Sequence, residues 1–136
     1  MRRAIKAGVA YFGVVFGLGF LLGAVRILAL VPWFGPVGAV AVEIPVMLGA
    51  SWLACGWAVR LFAVPSAWQD RLAMGAIAFG CLMVAELTVS MIAFGRSMAE
   101  HLAIYREIDA LIGLAAQLVF AGFPLIRAIP HDLNHT

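Results

Sequence analysis

The stretch Ala7–Val31 reads AGVAYFGVVFGLGFLLGAVRILALV, with Arg26 as its only charge. A helix needs about 20 apolar residues to cross the hydrocarbon core of a bilayer, and this run meets that length. Arg2, Arg3 and Lys6 precede it. A basic start before an apolar run also marks cleaved signal peptides. This run is too long for one, carries Arg26, and is followed by further apolar segments. An uncleaved first helix is the expectation.

Three more segments of similar character follow, at about Val37–Phe62, Leu72–Phe94 and Ile108–Ile126. A tight aromatic turn, Pro32-Trp33-Phe34-Gly35-Pro36, separates the first two. A short polar loop from Val64 to Arg71 comes next, and its Trp68 suits the headgroup region. The longest loop, residues 95–107, has the makings of a short helix lying in the interface, and a polar tail, residues 127–136, ends the chain. Helix is the required conformation, because an open strand leaves its backbone polar groups unpaired in lipid. The expected fold is therefore an all-α integral membrane protein, a single domain over 1–136. It consists of four transmembrane helices in an antiparallel bundle.

Composition agrees. Of 136 residues, 65% are hydrophobic and 12% charged, against about 45–50% and 25% in soluble domains. A water-soluble fold of this size would expose large apolar patches, which soluble monomers avoid. The net charge of +2 does not mark a nucleic-acid partner, because the basic residues flank apolar segments and form no basic helix or tail. Arg2, Arg3, Lys6, Arg60, Arg71 and Arg127 fall on the amino-terminal side, and only Arg96 and Arg106 on the other. The positive-inside rule then places both termini of this multi-pass protein in the cytoplasm. Cys55 and Cys81 lie inside apolar segments without metal-type spacing, so they read as small buried residues.

Four polar side chains fall inside the spans: Arg26, Glu43, Glu86 and Gln117. Counted from the outer ends of their helices, they lie about six, seven, eight and nine residues deep, in one band roughly 9–14 Å down at 1.5 Å per residue. Small residues mark their faces. Gly19 and Gly23 share a stripe with Arg26, and Met47, Ala50, Ser51 and Ala54 share one with Glu43. Ser90 and Ala93 accompany Glu86, and Gly113 and Ala121 accompany Gln117. Intramembrane charges normally pair or line a cavity. Pro45 removes a backbone donor, which kinks its helix and frees the Ala41 carbonyl beside Glu43. One positive and two negative charges in one band leave two readings open. Arg26 clamps both carboxylates as a structural plug, or the surplus charge takes up a proton, cation or ligand.

Other features are weaker. The pairs Gly13/Gly17 and Gly19/Gly23 are close-packing surfaces, within the bundle or between protomers. Met47, Met83 and Met91 read as core filler. His101, His131 and His135 read as solvated, and no metal site or cofactor is implied. Ser51 and Ser90 have no His in reach, and no phosphate-binding loop, dinucleotide fingerprint or zinc-protease motif occurs.

The segments Leu22-Gly23-Ala24-Val25-Arg26, Val42-Glu43-Ile44-Pro45 and Arg71-Leu72-Ala73-Met74-Gly75 resemble small four-helix bacterial inner-membrane proteins. Ala85-Glu86-Leu87, Phe94-Gly95-Arg96-Ser97 and Gly113-Leu114-Ala115-Ala116-Gln117 extend the likeness over nearly the whole chain. The resemblance implies the fold and no activity. Small multidrug transporters carry their acidic residue in the first helix, where this chain has Arg26, and the acidic and amide pattern of membrane glutathione enzymes is missing. The favoured expectation is an accessory or assembly subunit, with the bilayer and a homo-oligomer or larger membrane complex as partners. The alternatives are a transport or ligand-binding module using Glu43, Glu86 and Arg26, and an enzyme acting on a lipid or quinone.

Overall fold

A computed structural model describes residues 1–128. The rest of the tail, including His131 and His135, lies outside the described residues. Helix α1 spans Arg2–Val25 and passes through one π-helical turn, Arg26–Leu30, into α2, Val31–Leu61. Helix α3 spans Trp68–Ala93, α4 is the short Met98–Ala103, a 3-10 turn covers Ile104–Arg106, and α5 spans Ile108–Ile126. No strand occurs among the described residues.

Three helical runs are long and apolar enough to cross a membrane: Arg2–Leu61, Trp68–Ala93 and Ile108–Ile126. Phe20, Leu21, Leu28, Leu53, Val84 and Ile92 are exposed along them. Exposed apolar side chains in that number suit an apolar surrounding. The first run has 60 residues; straight, it would extend about 90 Å, three times the hydrocarbon core. It is not straight. Gly35 takes φ +75° and ψ 171°, a backbone state open in practice only to glycine. The break folds α2 back onto α1, bringing Met47 beside Gly19. Helical bonding runs through Pro32, Trp33 and Phe34, so the turn is narrower than the Pro32–Pro36 span expected from the sequence. Pro32 cannot donate to the Leu28 carbonyl. Immediately before it the ladder widens, with the Val31 N–H reaching back five residues to the Arg26 carbonyl.

The other ends are built from local chemistry. After Leu61 the Val64 N–H returns to the Val59 carbonyl at 3.0 Å and the Ala63 N–H to the Arg60 carbonyl at 3.3 Å. This is a Schellman closure, which requires the left-handed region at its turning residue. Ala63 fills that place with φ +50°. Helix α3 stops where Gly95 turns at φ +65°. Ser97 then caps α4 by accepting the Glu100 N–H at 3.1 Å, a capping signature spelled out by Ser97-Met98-Ala99-Glu100.

Helix α1 packs against α2 and α3, and α5 against the same two. Tyr11, Ala54, Cys55, Met74, Ala78, Leu82, Phe120 and Phe123 form the buried core. Two glycines set the closest approaches of one helix backbone to another. A Cβ on Gly75 would collide with the Ala121 carbonyl, and one on Gly8 would sit 2.8 Å from the Met74 carbonyl. Gly13 and Gly17 have nothing within 4 Å of a built Cβ, and Gly19 meets only the Met47 methyl at 3.5 Å. Gly23 meets only the Arg26 guanidinium, at 3.9 Å. Within the chain, the tight contacts of α1 therefore fall at its start rather than along the glycine pairs.

Two arginines assigned from sequence to the loop region turn inward instead. Arg71 is 4% exposed. It donates to the Pro65, Pro124 and Val64 carbonyls at 3.0, 3.2 and 3.4 Å. These carbonyls lie at or just beyond helix ends, where helical partners run out, so one guanidinium fastens the α2–α3 loop to the end of α5. The Arg127 guanidinium lies 4.0 Å above the Trp52 ring and donates to the Trp52 carbonyl at 3.1 Å through Nε. Gly56 leaves the room, since a Cβ there would stand 2.7 Å from Arg127 Cζ.

Candidate ligand site between the helices

Arg26 opens the π turn, and such turns are frequent at functional sites. Its Nη1 donates to Glu43 Oε2 at 3.1 Å, and the Glu43 side chain is 11% exposed. A second pair lies alongside: Gln117 Nε2 donates to Glu86 Oε1. The only ion pairs among the described residues are Arg26–Glu43 and the amino terminus with Asp70. Arg26 thus holds one carboxylate, not both. Glu86 is met by a neutral amide, and Gln117 Oε1 is buried without a partner.

Two cavities meet around these side chains. The inner one, about 190 Å³, is bounded by Arg26, Glu43, Glu86 and Gln117 together with Met47 and Ser51. The outer and more open one is about 470 Å³. Phe16, Arg26, Val40, Glu86, Gly113 and Gln117 belong to the walls of both. All four polar residues singled out in the spans therefore face one space. Pro45 and Ala41 are exposed and belong to neither wall, so the freed Ala41 carbonyl does not face the cavities.

The outer cavity recruits groups from the 95–107 region and the start of α5. Arg96 donates to Ser90 Oγ at 3.3 Å and lies 4.8 Å over the Phe94 ring. Asp109 sits in the first turn of α5, where a negative charge is favoured by the helix dipole. Tyr105 also faces the cavity; burial, and then the nearby Glu86 carboxylate, hold its phenol above the ordinary tyrosine range. His101, read from sequence as solvated, is half-buried instead. It meets Tyr105 edge-on at 5.7 Å, and its Nδ1 is buried without a partner. His101 faces the outer cavity from α4, the helix that Ser97 caps. Arg96, His101 and Tyr105 were not placed at the site because the side chains of the 95–107 region have no periodicity to reveal what they face, and Asp109 stands at the very start of its segment, outside the band of the four polar residues. The capping signature was the only signal, and it locates α4 without orienting it.

Around both cavities stand three carboxylates, Glu43, Glu86 and Asp109, and two guanidiniums, Arg26 and Arg96. Between these carboxylates and guanidiniums the surplus is one negative charge. No protein-family model, curated protein or solved structure matches this chain.

Proposed function

We propose that the chain crosses a bacterial inner membrane four times as an antiparallel bundle with both termini in the cytoplasm, and that it is a small ligand-binding or transport module. The four-span reading is supported by the break at Gly35, which divides the 60-residue run into two pieces of spanning length. The contacts Arg26–Glu43 and Gly19–Met47 recede from that break in opposite chain directions. The charge asymmetry between the two sets of loops supports the orientation.

One observation carries the functional reading: the polar side chains surround space rather than fill it. A plug would close on itself, whereas here the Glu86–Gln117 pair stands on the wall of both cavities. Concave, largely apolar sites with a few convergent polar groups are where small molecules bind. An accessory-subunit role keeps one specific observation in its favour. Gly13 and Gly17 are exposed and have nothing near them, as a surface awaiting another helix would.

Thiol labelling in sealed vesicles tests both parts, in a background with Cys55→Ala and Cys81→Ala. Ser97→Cys is expected to react from outside and Ser66→Cys only after permeabilisation. Gly113→Cys is the probe of the cavity, since Gly113 faces both spaces and has room for a Cβ. It is expected to react with an impermeant reagent from the outside. An unreactive thiol there, in folded protein, would overturn the binding-module reading and leave the assembly role.

A further inference from the structure

We infer that the ligand is a small organic cation bearing N–H donors, a primary ammonium or a guanidinium on an apolar body, held between the Glu86 carboxylate and the Gln117 amide oxygen. This inference rests on the cavity being a binding site.

Charge comes first. Arg26 is committed to Glu43, and Arg96 to Ser90 and the Phe94 ring. Glu86 has no cation within salt-bridge distance among the described residues. An anion entering here would have to lie beside Glu86 and Asp109, whereas a cation completes the charge. In a poorly solvated space that difference is large.

Hydrogen bonding points the same way. The amide oxygen of Gln117 can only accept, and it is buried with nothing to accept from. Its amide nitrogen is turned to Glu86, so the oxygen is fixed toward a donor. Satisfying it and Glu86 together requires a group with at least two hydrogen-bond donors. Ammonium and guanidinium groups combine those donors with the positive charge; quaternary ammonium has the charge without them.

Size and surroundings complete the description. An apolar cavity of about 150 Å³ is enough for a benzene ring, so the inner space of about 190 Å³ takes a body of that order. Phe16, Phe20 and Phe94 stand on the outer cavity's wall, and aromatic faces attract cations.

The probes are phenethylammonium, phenyltrimethylammonium, which lacks N–H donors, and the anion 3-phenylpropionate. Thermal unfolding of the purified full chain in mild detergent reads their binding. Phenethylammonium is expected to raise the midpoint with dose, phenyltrimethylammonium to do so more weakly, and 3-phenylpropionate not at all. Glu86→Gln is expected to weaken the apparent affinity about tenfold or more, as loss of a charged hydrogen bond does. Glu100→Gln, on the exposed α4, is expected to leave it unchanged. Gly113→Leu, which fills the shared wall with Glu86 intact, is expected to remove the response and serves if Glu86→Gln fails to fold. No shift with phenethylammonium would overturn the cation assignment, as would a stronger shift with 3-phenylpropionate or an undiminished one in Glu86→Gln. Reactivity of the introduced thiol at position 113 then decides separately whether the cavity reading stands.

Discussion

The Tyr11 hydroxyl donates to the Phe120 carbonyl at 2.8 Å, and that carbonyl is the one Pro124, four residues on, leaves without its helical donor. The proline at the end of α5 creates an orphan acceptor in the core, and a tyrosine from α1 satisfies it across 109 positions of sequence. Tyr11→Phe is expected to destabilise the protein by about 1–3 kcal/mol, the cost of an unsatisfied buried acceptor. In a Pro124→Ala background the backbone supplies its own N–H, so the same change is expected to cost less. Thermal or denaturant unfolding of the four species checks this as a double-mutant cycle.

The second prediction concerns Ala63, held at φ +50° by the Schellman closure of α2. A left-handed conformation costs an L-residue about 1–2 kcal/mol. Ala63→Gly is expected to stabilise by up to about 1 kcal/mol, since the greater freedom of glycine in the unfolded chain offsets part of the relief. An unfolding midpoint that falls would show that the strain is not there.

The glycines make the third. Gly75→Ala drives a methyl into the Ala121 carbonyl, and α3 and α5 must separate. A loss of about 1–3 kcal/mol, the usual cost of overpacking, is the expected minimum. Gly13→Ala is expected to be neutral or to stabilise by about 0.5–1 kcal/mol through helix propensity, because nothing stands near it within the chain. Comparative unfolding in detergent measures both. Crosslinking adds a second readout, since a fall in dimer yield on Gly13→Ala would reveal a protomer interface there.

The fourth concerns the ion pair. Arg26→Ala strands the Glu43 carboxylate, which is 11% exposed, whereas Glu86→Gln leaves Arg26–Glu43 intact. Stranding a buried charge costs about 3–5 kcal/mol in soluble proteins. Arg26→Ala is therefore expected to lower stability more than Glu86→Gln does. Adding Glu43→Gln to Arg26→Ala is expected to recover part of the loss. No recovery, measured by unfolding midpoints, would mean the pair does not act as a unit.

How much of this was legible in the sequence depends on the length scale of each signal. The apolar run to Val31 and the lone glycine among prolines announced a helix and its break, because both are local. The convergence of Arg26, Glu43, Glu86 and Gln117 on one space was legible from depth counting, since a regular helix converts sequence distance into height. Their pairing was not: whether Arg26 takes Glu43 or Glu86 depends on side-chain reach and helix rotation, which periodicity leaves open. Arg71 and Arg127 were read by charge alone, as residues for the loop region. Their inward turn depends on carbonyls freed at the ends of α2 and α5, and on the gap at Gly56. Such vacancies exist only once the helices have docked.

The most direct measurement is the charge preference at the introduced thiol of Gly113→Cys. Cationic and anionic methanethiosulfonates of similar size are applied from outside, and their rates are compared after correction for reactivity with a free thiol. With Glu86 uncompensated on the shared wall, the cationic reagent is expected to react several-fold faster, and Glu86→Gln is expected to erase most of the difference. Equal rates, a faster anionic reagent, or a preference that survives Glu86→Gln would contradict a cavity whose free charge is the Glu86 carboxylate.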